Sequence, residues 1–236
     1  MLNTSLSWFN KSIENLKNYI ALSIKQREDL IDLSNETNLI KSNIKLQKII
    51  KDYDNIESLK KKIDYSAIVI LLYGALEKYI EDVAKEYLNI LSNLVSKYDN
   101  LPEKIKENYL QKSIDLLNNL KLDKYQNISP NDVINNLYYC QSSNLSYKIN
   151  TDSYTQHTAN FRYDTINQFF ADLGIENINK KIIQNENFKT YLKLESIERV
   201  QYGIILSKID QLVQIRNKIS HGQLTDDIID FIEPIW

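Results

Sequence analysis

Glycine, proline, cysteine and histidine are all scarce in this chain, and each shortage removes a class of function or structure. Four glycines, scattered at 74, 174, 203 and 222, cannot build a G-x-G-x-x-G turn or a Walker loop, so those phosphate-cradling motifs are absent. A single cysteine, Cys140, forbids an internal disulfide, fits a reducing compartment and reads as a small buried apolar residue. With only two histidines, His157 and His221, far apart in sequence, there is no zinc set and no H-E-x-x-H pair. No G-x-S-x-G elbow occurs. Carboxylates are plentiful, but none pairs in a way that separates a metal or glycosidase site from a solvated helix face. No metal and no cofactor is expected.

Charge of one sign is missing too. Twenty-nine basic and 31 acidic residues leave a formal charge of -2, so no global field draws the chain to a polyanion and any nucleic-acid contact must be local. The longest apolar run, Ala67 to Leu76, stops at Glu77 well short of the roughly 20 residues that span a bilayer. No charged-then-apolar leader opens the chain. The expected location is the cytoplasm, with no membrane partner.

What is present is Leu, Ile, Lys, Asn and Glu, with four glycines and three prolines, a composition suited to long helices joined by short polar connections. No period-two segment is flanked by turn chemistry. The expected fold class is all-α, a helical bundle with a long N-terminal helix or helical hairpin. Residues 1–60 are expected to pack on a helical domain at 61–236, the whole forming one continuous domain. From Ser5 to about Tyr53, apolar residues recur at helical spacing, as one helix or as a hairpin broken near Ser34-Asn35-Glu36. The heptad-like spacing there admits packing within the chain or a coiled-coil partner.

The most apolar helix is expected from Ile63 to Leu91. Ile68, Leu72, Leu76, Tyr79, Val83 and Tyr87 share one face, while Tyr73, Glu77 and Glu81 step along another at four-residue intervals. Glu77 is either a boundary residue or a carboxylate partner for an arginine elsewhere. Further helices are expected after Pro102, to about Leu120, and after Ser129-Pro130, to about Tyr139. Residues 141–160, rich in Ser, Asn, Thr and Gln, read as a loop. His157 at its end is a surface or hydrogen-bonding group or a site residue. Order resumes at Phe161 and a helix runs to a glycine stop at Gly174. Residues 184–191 read as polar and irregular, a last long helix runs from Glu195 to His221, and an acidic-apolar tail spans 226–236.

Chemistry concentrates at the end of that last helix. At about 100° per residue, Ile205, Ile209, Leu212, Val213, Ile215 and Ile219 gather into one apolar arc, and Arg216 falls near its middle. A guanidinium there is costly unless it is paired or faces a partner or a wet cleft. Asn217 and His221 share a flank, with Ser220 between them and the arginine, and Gly222 supplies a left-handed stop. Such a cluster suits metal-free transesterification of RNA. Histidine removes the proton from a ribose 2′-OH, and arginine binds the phosphate bidentately and steadies its charge. On spacing alone, a helix-capping histidine beside a salt-bridged arginine is the simpler reading of the pair.

Arg216-Asn217-Lys218-Ile219-Ser220-His221 is similar to the R-N-x-x-x-H form of the R-x4-6-H motif of HEPN domains. Leu71 to Asp82, and His157-Thr158-Ala159-Asn160-Phe161-Arg162 with Leu173-Gly174-Ile175, resemble the RiboL-PSP-HEPN branch. The resemblance implies a helical bundle that forms a homodimer through the motif helix, with two Arg-His sets in a composite cleft. It implies a metal-independent endoribonuclease acting on an RNA substrate as a toxin or antiviral effector, with an antitoxin or defence-system partner. His221 would transfer the proton, Arg216 would bind the scissile phosphate and Asn217 would hold either. Glu77, Tyr73 and Ser220 would support them, Glu77 by orienting Arg216. Lys218, Arg162 and His157 would guide RNA. Toxins of this kind that are controlled by a nucleotidyltransferase carry a tyrosine two residues after the histidine, where this chain has Gln223. The alternatives are a non-catalytic module binding RNA or a partner protein, docking through its N-terminal helices, and a structural helical adaptor.

Overall fold

Long runs without proline, interrupted by one glycine at Gly74, let the N-terminal residues form two extended helices, α1 (Leu2–Asn35) and α2 (Ile44–Leu94). The computed structural model describes residues 2–35, 43–142, 147–157, 159–191 and 199–223, and every regular element among them is helical. The break near Ser34-Asn35-Glu36 falls where the chain leaves α1. Asn43 then starts α2, its side-chain oxygen accepting the Leu46 N–H at 3.1 Å, an N-cap. The expectation of separate helices up to Tyr53 and from Ile63 is corrected, because α2 runs through both in 51 residues. Nothing between Tyr53 and Ile63 is a breaker, so helix propagates across the weaker apolar pattern. The expected start of the last helix at Glu195 and the tail at 226–236 lie outside the described residues.

The chain folds into two units, residues 6–76 with 212–236 and residues 1–5 with 77–211. In the first, α1 and the first part of α2 meet the end of α8 (Arg199–Ser220). Ile20, Tyr65, Ile68, Val69, Tyr73, Leu212, Val213 and Ile215 form its core, flanked by Leu72, Leu76 and Ile219. Asp64 ties α1 to α2 by accepting from Tyr19 and Ser23, both at 3.1 Å, and from Lys60 at 2.5 Å. Burial pushes its carboxyl up, but these three donors outweigh it and hold the group below its ordinary value.

The second unit carries the shorter helices: α3 (Glu103–Asn119), α4 (Pro130–Gln141), α5 (Tyr163–Ala171), α6 (Ile178–Gln184) and α7 (Glu186–Tyr191). Ser129 and Pro130 open α4 as cap and first residue, and Gly174 follows α5 at φ +78°. Residues 184–191, expected to be irregular, instead contain α7 and the end of α6.

The polar stretch after α4 departs most from its expected form. Over the described residues 147–157 it is not an open loop. Ile149, Asn150, Ser153, Tyr154 and Thr155 are buried, the last four around a 3-10 turn at Thr151–Thr155. Its polar groups are buried because they find partners. Asn150 donates to the Val133 carbonyl at 3.0 Å and to Ser113 at 3.4 Å, and accepts from Asn136 at 2.9 Å. Its N–H donates to the Tyr109 hydroxyl at 3.2 Å, and Tyr154 donates to the Ile105 carbonyl. Cys140 is 1 % exposed, and burial pushes its thiol up to about 11, so it stays a protonated, unreactive packing residue.

Candidate functional site

Two polar clusters stand out, one in each unit. The first closes α8. Its last turn ends in a Schellman arrangement: the Gln223 N–H donates to the Lys218 carbonyl at 3.0 Å and the Gly222 N–H to Ile219 at 2.9 Å, with Gly222 at φ +78°. His221 therefore sits where the helix stops. Its backbone N–H is spent on Asn217 and Lys218 carbonyls at 3.1 and 3.2 Å, while its side chain lies on the exposed surface.

Arg216, one turn earlier, is half-buried beside the buried Val213 and Ile215. Its guanidinium carbon lies 5.1 Å from the ring centroid of Tyr73, itself 2 % exposed. The π face meets the charge where water is scarce, which answers the misfit of an arginine on an apolar arc. Nη1 also donates to the Asn217 side-chain oxygen at 3.3 Å. Ser220 turns back, its hydroxyl donating to the Arg216 carbonyl at 2.9 Å. Arg216, Asn217, Ser220 and Tyr73 are thus brought together as a set. Lys218 is half-buried in the same turn.

The second cluster is built on α2 in the other unit. His157 is 15 % exposed, with Nε2 2.9 Å from Glu81 and 3.7 Å from Glu77, and Nδ1 3.0 Å from the Ala159 carbonyl. Its ring packs on Phe161 at a centroid distance of 4.3 Å. Glu81 also accepts from Lys124 at 2.6 Å. The Glu81 hydrogen bond pushes the imidazole above its ordinary range against the opposing effect of burial. Burial works to raise the Glu81 carboxyl, and the donors His157 and Lys124 overcome it and hold the group low. Glu77, expected to orient Arg216, also lies 3.7 Å from His157 Nε2.

A cleft of about 740 Å³ opens beside this cluster, with Glu81, Lys124, His157, Asn119 and Gln156 among its walls. An adjoining cavity of about 370 Å³ shares Glu77 and His157 and adds Asn160 and Arg162. Arg162 stands at the N-cap of α5. Among the described residues, no group of three or more histidine, cysteine or carboxylate side chains is placed to hold a metal ion. No described helix is long and apolar enough to cross a membrane.

Sequence reasoning found Tyr73 through its four-residue step to Glu77, and the same step pointed to Glu81 without assigning it a role. Lys124 gave no signal, because its partner lies 43 residues away. A model of the RiboL-PSP-HEPN family matches residues 28–234, which takes in both clusters. No curated protein and no solved structure matches the chain.

Proposed function

Because the chain belongs to the RiboL-PSP-HEPN family, whose domains are often nucleases or RNA-binding modules, we propose that it is a metal-independent endoribonuclease acting as a toxin or effector in antiviral defence. The observation that carries this reading is the end of α8: a half-buried guanidinium braced by Tyr73 and Asn217, followed one turn later by an exposed imidazole. Arg216 binds the scissile phosphate through its planar guanidinium. His221 removes the 2′-OH proton, the 2′-oxygen bonds to phosphorus, and the P–O5′ bond breaks. The products are a 2′,3′-cyclic phosphate and a 5′-hydroxyl, the leaving oxygen taking up a proton.

A homodimer through the motif helix sets two such pairs around one cleft, so one His221 acts as base and its counterpart as acid. Asn217, already bonded to the guanidinium, fixes its orientation. The purified protein is expected to cut single-stranded RNA in EDTA and leave 2′,3′-cyclic ends, and His221→Ala to fold normally and be inert. Equal cleavage by that variant would overturn the assignment. RNA binding without cleavage over a wide substrate panel would replace it with a non-catalytic binding module.

A further inference from the structure

We propose that His157 is a pH-responsive clasp, held as an imidazolium between α2 and the segment that enters α5, which lets go when the ring loses a proton. The geometry fits that protonation state. Nδ1 lies 3.0 Å from the Ala159 carbonyl oxygen, which has no proton to give. Nε2 lies 2.9 Å from a Glu81 oxygen that also receives Lys124 at 2.6 Å, so that carboxylate is ionised and likewise only accepts. Both nitrogens face acceptors, so both must carry hydrogen. A neutral ring would turn one lone pair on an oxygen at hydrogen-bond distance, in a place where water reaches little of it.

The charges around the ring agree with this. Glu77 and Glu81 face it from α2, Glu77 at 3.7 Å. Lys124 opposes them from the 3-10 turn at Asp123–Tyr125, but it is bound to Glu81 itself. Arg162, from the α5 end of the same segment, lines the smaller cavity with His157 and Glu77. Farther along the cleft, Lys112 of α3 is neutralised by Asp172 at 3.0 Å, and Asp115 adds another negative charge. The segment's other anchor is apolar: Phe161 is fully buried, under the His157 ring and against Phe169.

His157 is raised, so its contribution is complete below the unfolded value of about 6.5 and is lost as pH rises through the folded value. Glu81 is lowered, so its contribution is complete above the ordinary carboxylate range and lost on strong acidification. The clasp is tightest in mildly acidic solution and opens toward alkaline pH. On this account His157 neither transfers a proton in catalysis nor reaches RNA.

The test is independent of nuclease activity. With two histidines in the chain, long-range nitrogen–proton spectra of labelled protein give two imidazole patterns, and His221→Ala assigns them. His157 is expected to show two protonated nitrogens at pH 7, to titrate above about 6.5, and to titrate lower in Glu81→Gln. Exchange of the Phe161 and Arg162 amides, corrected for intrinsic rates, should speed up by up to roughly tenfold per pH unit between about 6.5 and that titration and level off above it. A neutral His157 tautomer at pH 7, or protection unchanged across the titration, overturns the proposal. Glu77→Gln, a milder change, should lower the titration by less, and an equal or larger fall would transfer the clasp to Glu77.

Discussion

His157 and His221 present one side chain in two opposite situations. His157 has acceptors on both ring nitrogens and is 15 % exposed, whereas His221 stands on the surface at the end of α8. A histidine whose nitrogens are both spent can hold structure but cannot exchange a proton with a substrate. One presented at a helix stop, a turn after a braced arginine, can. The ring of His157 is enclosed by its acceptors, whereas that of His221 is open to solvent.

The largest expected effect breaks the comparison at its reactive end. His221→Ala should lower the rate of RNA cleavage by about 10³-fold or more, in the range expected for losing a general acid–base group that also acts in a shared cleft. The denaturation midpoint should stay where it was, because an exposed side chain adds little to stability. His157→Gln should do the reverse, with a shifted pH dependence of stability and cleavage per folded molecule preserved. If the two variants lost cleavage to the same degree, the division between the clusters would be wrong.

A second test removes structure from the unit that holds His157. Asn150→Ala deprives the Val133 carbonyl, Ser113 and Asn136 of their partner at once. The expected cost is about 2–4 kcal/mol, since buried polar groups left unmade are penalised individually. Urea unfolding measures it, and a loss under about 1 kcal/mol would mean that water replaces the amide there.

How much of this was readable in the sequence depends on how far apart the interacting residues lie. Arg216, Asn217, Ser220 and His221 lie within six consecutive positions, so helical spacing alone assembled them. Tyr73 was legible as a helix-face neighbour of Glu77, but the ring's place under Arg216 joins positions 143 residues apart, and spacing gives no register for that. Lys124 was invisible for the same reason. The stretch around Asn150 was misread because Ser, Asn and Thr usually mark solvent-facing turns. Here they are internal donors and acceptors, and composition cannot tell the two uses apart. The unbroken α2 was in principle legible, from the lack of a breaker between Tyr53 and Ile63. The apolar pattern fades there, and helix continuity does not require it.

The brace beneath the arginine offers a smaller, more specific effect. Tyr73→Leu keeps an apolar core residue but removes the π face from Arg216. It should cost about 1–2 kcal/mol of local stabilisation and slow cleavage roughly tenfold through a less fixed guanidinium. Tyr73→Phe, which keeps the ring, should stay near wild type in rate. A tenfold loss in the phenylalanine variant would shift the role from the ring to the hydroxyl.

The smallest effect is the difference between the two glycine stops, one in each unit. Gly174 and Gly222 have the same φ of +78°, so replacing either with alanine incurs the same left-handed strain of about 1 kcal/mol. Their surroundings differ. A Cβ on Gly174 would lie 3.2 Å from the Pro102 Cβ, whereas one on Gly222 meets no atom of the described residues within 4 Å. A proline ring fixed at the N-cap of α3 yields little, so Gly174→Ala should cost about 1 kcal/mol more than Gly222→Ala. Gly222→Ala should cleave RNA nearly normally if alanine keeps the Schellman turn, because His221 then stays where the helix leaves it. If it loses activity while remaining as stable as expected, the left-handed stop is positioning the imidazole as well as ending the helix.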